Sequence, residues 1–164
     1  MRLFLALVFT CGFVLLQSTA FMHKLAFSGV VPDLSLIAVI FLANRNGRIM
    51  GETAGFAGGL VEDFLSLAPL GFHALVKTLI GFFVGGTCGL VFTGSLFLPM
   101  LMTGAATLVK CFLSMLLLMI SGGSSASGFF SWATLIEMGY TMLLTPFLFA
   151  FLGFFKFLSP GTRG

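Results

Sequence analysis

From Leu3 to Met22 the chain runs for 20 residues without a charged side chain, and comparable apolar runs recur almost to its C-terminus. A helix needs about 20 such residues to cross the roughly 30 Å hydrocarbon core of a bilayer. Charged residues make up only 8% of the chain, against about 25% in a soluble domain. Side chains of this kind cannot cover a water-facing surface, so the sequence reads as an all-α integral membrane protein. Its 164 residues form a single polytopic domain, 1–164.

The runs separate into six expected spans: Leu3–Met22, Val31–Ala43, Ile49–Ala68, Phe72–Phe92, Leu96–Ile120 and Phe130–Phe154. The second is short and opens at Pro32, a residue suited to a first helical position. Turn chemistry marks the connections: "NRNGR", "APLG", "FTGS" and "SGGSSASG". The N-terminal run has the look of a signal peptide, with cleavage after Ala20 as the alternative. Its length and the apolar chain that follows favour an uncleaved first helix.

Arg2, Arg45, Arg48, Lys156 and Arg163 fall at the N-terminus, the second connection and the C-terminus, which share one side if the spans are even in number. The positive-inside rule makes that side cytoplasmic. The net charge of +3 is small and scattered, which argues against nucleic acid as a partner. Cys11, Cys88 and Cys111 each sit within apolar runs, odd in number and without C-x-x-C spacing, so neither a disulfide frame nor a metal site is expected. No H-E-x-x-H, G-x-S-x-G or Walker pattern is present. The sequence thus points to no catalytic residue, cofactor or metal.

Two features need a physical reason. Gly51, Gly55 and Gly59 recur at every fourth position of the third span, as do Gly81, Gly85 and Gly89 in the fourth. Small residues let helix backbones approach closely where lipid supplies no hydrophobic drive. With "APLG" as the turn, the strips predict a tight antiparallel hairpin; a partner's helix on one strip is the alternative. The second feature is charge at depth. Counting about 1.5 Å per residue, Glu62, Asp63, Lys77, Lys110 and Glu137 fall in one layer roughly 8–15 Å below the outer surface. His73 lies just above it.

A charge at the centre of a membrane helix costs at least about 2.5–3.5 kcal/mol. The five should therefore converge inward, as a structural network, a ligand pocket or ion pathway, or a contact surface. Glu62 and Asp63 lie about 100° apart on a helix, so both point inward only if that face is broad. The expectation is that Asp63 faces the interior and is neutralised by Lys77 or Lys110, with Glu62 toward the hairpin edge and a potential partner. Glu52, near Arg45 and Arg48, reads as an interfacial charge.

The stretch from Pro32, Asp33 and Leu34 through "GETAGFAGGLVEDFLSLAPLGFHAL" resembles the bacterial rod shape-determining MreD family. There a proline–aspartate–leucine opening precedes a glycine-rich helix ending in Gly-Leu-x-x-Asp, here Gly59, Leu60 and Asp63. A leucine–glycine turn follows, here Leu70 and Gly71. The resemblance implies a non-enzymatic subunit of the cell-elongation complex in the bacterial cytoplasmic membrane. It would bind an MreC-like bitopic coiled-coil scaffold and, through it, serve an actin-like filament, a peptidoglycan polymerase and a transpeptidase. It also implies a six-helix fold like the substrate-binding subunits of energy-coupling-factor transporters. Such a vitamin-binding subunit is the alternative reading, although the first span lacks an Ala-x-x-x-Ala pattern: Ala6 is followed four residues on by Thr10.

Overall fold

A computed structural model describes residues 2–18, 29–66, 69–87, 97–120 and 132–154. Among the described residues the protein is all-helical: α1 (Arg2–Ser18), α2 (Leu34–Asn46), α3 (Arg48–Leu65), α4 (Phe72–Gly86), α5 (Phe97–Ile120) and α6 (Trp132–Gly153). Each falls largely within one expected span. They are not equal in length. Only α5 and α6 hold segments long and apolar enough to cross a membrane by themselves, Pro99–Leu116 and Thr134–Gly153; α1, α2 and α4 are shorter apolar helices.

The shortest, α2, explains the arrangement. Its 13 residues reach only about 20 Å at the helical rise. Every residue from Leu34 to Asn44 is buried, and the helix packs against all five of the others. A helix apolar on every side belongs in an interior, and here the neighbours provide one. Leu36, Ile37, Ile40 and Phe41 form the centre of the core, with Val76 and Ile80 from α4 and Phe149 and Leu152 from α6. The Phe41 and Phe149 rings meet edge-on at 5.1 Å.

Contacts along the helices give their directions. Ser35 reaches back to Gln17, so α1 and α2 are antiparallel. Asp33 meets Thr141 and Phe41 meets Phe149, so α2 and α6 run parallel. Lys110 meets Glu137, and Gly104 lies against Met142, making α5 and α6 antiparallel. Short connections between successive antiparallel helices bring the start of α2, the end of α3 and the start of α4 to one level.

The glycine strips face each other. A Cβ on Gly51 would lie 2.5 Å from the Gly81 carbonyl oxygen, and one on Gly59 would lie 2.5 Å from the His73 carbonyl. Gly55 likewise abuts the backbone of Lys77, and Gly85 the backbone of Arg48. No side chain fits between α3 and α4 along this line, so the expected intramolecular hairpin is the arrangement present. Gly89 lies outside the described residues. A further glycine, Gly58, faces the other way, where a Cβ would meet Thr10 Cγ2 of α1 at 2.6 Å.

Replacing Gly55 or Gly59 with Leu should therefore cost about 1–3 kcal/mol or more, since backbone must move to admit it. Gly139→Leu on α6, where nothing lies within 4 Å of the added Cβ, should be nearly neutral. Thermal unfolding of the detergent-solubilised protein would read the difference; equal tolerance at the two sites would remove the packing argument.

Candidate functional site

The α2 helix begins at Asp33, whose carboxylate caps it. Oδ1 accepts from the Leu36 backbone N–H at 3.0 Å and from the Ser35 hydroxyl at 2.9 Å. An aspartate before an apolar run is a common N-cap, because its oxygen satisfies a backbone donor that the first turn leaves open. Here the cap does more. Lys77 of α4 brings its ammonium to Asp33 Oδ1 at 3.2 Å, and Lys110 of α5 reaches Oδ2 at 2.7 Å. Lys77 also contacts Glu62 of α3 and the Ser35 hydroxyl, while Lys110 contacts Glu137 of α6 at 2.7 Å. Five charges from α3, α4, α5, α6 and the start of α2 form one connected network.

Its depth is graded. Lys77 and Asp33 are almost wholly buried, whereas the side chains of Glu62, Lys110 and Glu137 retain 15%, 18% and 25% of their exposure. The rim opens into a cleft of about 130 Å³ between α5 and α6, lined by Thr107, Lys110, Cys111, Ser114, Thr134 and Glu137. Neither Cys11 nor Cys111 is in a disulfide, and Cys88 lies outside the described residues.

Asp63 belongs to a second arrangement. Its oxygens accept from the backbone N–H groups of Gly71 (3.0 Å), His73 (2.9 Å) and Ala74 (3.1 Å), and Oδ1 lies 2.9 Å from His73 Nδ1. It is a carboxylate from one helix capping the N-terminus of the next, where open donors and the helix dipole favour negative charge. Gly71 supports this turn with a φ of +92°, a left-handed conformation that glycine adopts without strain.

The expected pairing of Asp63 with Lys77 or Lys110 is therefore corrected. Asp63 faces inward, but Glu62 and Asp33 hold the lysines. Glu62 is likewise not at the hairpin edge awaiting a partner. The reason is geometric: α3 packs against both α2 and α4, so its inward face is broad enough for two adjacent carboxylates. Glu62 turns toward α2 and Asp63 toward the turn before α4.

Residue-by-residue reading of charge depth located Glu62, Lys77, Lys110 and Glu137 and missed the residue that joins them. Asp33 precedes an apolar run and stood out only as a motif residue, not as an intramembrane charge. Ser35, Gln17 and Thr141 complete its surroundings and carry no sequence signal of their own.

The family model for the rod shape-determining protein MreD matches residues 1–155. The chain belongs to the MreD family. No curated protein and no solved structure matches it. The family is a membrane-protein family concerned with determining rod shape, and the motif that suggested it now has a physical meaning. Asp33 of the Pro32–Asp33–Leu34 opening anchors the ion network. Gly59 seats α3 on α4, Asp63 caps α4, and Leu70 and Gly71 form the turn between them. Leu60 is half-buried on the same helix.

Removing one member of a buried ion pair strands its partner and costs about 3–5 kcal/mol. Lys77→Met should do so, leaving Glu62 without its ammonium. Adding Glu62→Leu should recover much of the loss, because Asp33 keeps Lys110. Unfolding of both variants in detergent tests this; a double variant as unstable as the sum of the single ones would contradict the network.

Proposed function

We propose that the chain is a non-enzymatic, multi-pass subunit of the bacterial cell-elongation complex. In this reading it sits in the cytoplasmic membrane with both termini inside and binds an MreC-like bitopic coiled-coil scaffold. Through that scaffold it couples an actin-like filament to a peptidoglycan polymerase and a transpeptidase. The carrying observation is the family match across residues 1–155. The alternating helix directions and the basic residues at Arg2, Arg45, Arg48, Lys156 and Arg163 support the orientation.

The ion network fits a subunit whose task is to hold a shape. Its lysines are neutralised by carboxylates of the same chain, which fixes the register of the helices that carry them. That use of buried ionic groups, setting geometry more than adding stability, has precedent in register-setting polar residues. The vitamin-binding alternative needs a ligand site in the outer half of the bundle. The polar cleft beside Lys110 and Glu137, about 130 Å³, is small against the roughly 300–1,000 Å³ of ligand pockets.

Depletion in a rod-shaped host should produce rounded or widened cells, restored by the wild-type chain. Normal shape with a new vitamin requirement would contradict the proposal and favour the alternative. Cysteine labelling checks the topology: residues appended to either terminus should react only after the membrane is permeabilised, and a cysteine placed between Ser121 and Gly128 should react from outside. Labelling of a terminus from outside would overturn the orientation.

A further inference from the structure

The chain has five carboxylates, and four of them are held: Asp33, Glu62 and Glu137 by lysines, Asp63 by the turn before α4. Glu52 is the exception. Among the described residues no hydrogen bond or ion pair engages it. The neighbouring arginines, its expected company, are placed elsewhere: the Arg48 guanidinium stacks over Phe82 of α4 at 4.9 Å, and that of Arg45 over Phe41 at 5.4 Å.

Glu52 lines a groove. The α1 and α3 helices run parallel and meet at Thr10 and Gly58, while nearer their N-termini they border a cavity of about 420 Å³. Its walls are Leu3 and Leu7 of α1 and Glu52, Phe56 and Ala57 of α3, with Thr78 of α4 also lining it. The Thr53 and Thr78 hydroxyls along this strip are satisfied by carbonyls of their own helices, Ile49 and Ala74. Only the carboxylate lacks an answer.

Lipid tails would suit the apolar lining but cannot neutralise Glu52. A membrane-spanning helix can do both. Small residues such as Ala57 permit close approach of a second backbone. Glu52 lies one turn, about 6 Å, from Arg48 at the start of α3. Under the orientation proposed above, that is the level where the positive-inside rule puts Lys or Arg on a partner's span. We infer that this groove is the docking site for the membrane helix of a partner subunit, with a basic residue near the helix's cytoplasmic end pairing with Glu52. The inference rests on the reading of the chain as a subunit of the elongation complex.

The test uses the full chain co-expressed with the host's single-span scaffold subunit. A photo-reactive residue at Phe56, 54% exposed in the groove, should cross-link to the scaffold's span; one at Phe147, 73% exposed on α6, should not. Glu52→Lys should cut the scaffold recovered with the chain by about tenfold, as charge reversal at a paired site does. Glu52→Gln should cut it less. Replacing the partner's basic residue with Glu should restore recovery with Glu52→Lys. Thermal unfolding of the isolated chain should be unchanged by either variant, because Glu52 holds nothing among the described residues.

Undiminished recovery with Glu52→Lys would overturn the docking site while leaving the proposed function standing. So would cross-links from Phe147 in place of Phe56, or from Phe56 to a second copy or to the chain's own residues 155–164. A wild-type chain that retains no scaffold, in cells that keep their shape without it, would overturn both.

Discussion

The bundle depends on what Asp33 does at the head of α2. One carboxylate closes the first turn of the most buried helix and also binds two ammonium groups from two other helices. Buried ions are costly to desolvate, and their attraction offsets that cost only where geometry is good and remaining lone pairs are used. Asp33 meets this condition: both oxygens are engaged, by backbone, hydroxyl and ammonium donors. Every lysine position in the layer then follows from reaching this point, and Glu62 and Glu137 follow from neutralising the lysines.

Around that anchor, two different contacts hold the helices. The α3–α4 hairpin is held by backbone touching backbone, with Gly51, Gly55, Gly59, Gly81 and Gly85 removing the side chains that would intervene. The Asp63 cap locks the hairpin at its turn. The α5–α6 pair is closed internally by the Lys110–Glu137 bridge and attached to the rest through the Lys110–Asp33 bridge and the contacts of α6 with α2. The two halves of the molecule thus share the ion layer as a common joint. A member of a shape-determining family has use for such a joint, which fixes relative helix positions.

Much of this was legible in the residues. Glycine at every fourth position states that something must approach closely, and a Pro–Leu–Gly turn between two such strips says what. Charges at one calculated depth state that they must meet. Which charge meets which was not legible, because adjacent Glu62 and Asp63 differ by only a third of a turn and their fates depend on where α2 and α4 lie. Asp33's place in the network was missed for a similar reason: a residue that opens a helix and an ion-network anchor look alike in sequence. The short second span read as an oddity of length. It is the centre of the core, and burial on every side removes the need for bilayer length.

One carboxylate, that of Asp33, couples α2 to α5. A double-mutant cycle of Asp33→Asn and Lys110→Met, read by unfolding of the purified protein, measures that coupling. Residues in contact couple by about 0.5–3 kcal/mol, and independent sites add within about 0.3–0.5 kcal/mol. The structure predicts coupling in the upper range, with the double variant much less damaged than the sum of the two single ones. Simple additivity would mean that Asp33 and Lys110 do not meet, and the anchor would be lost.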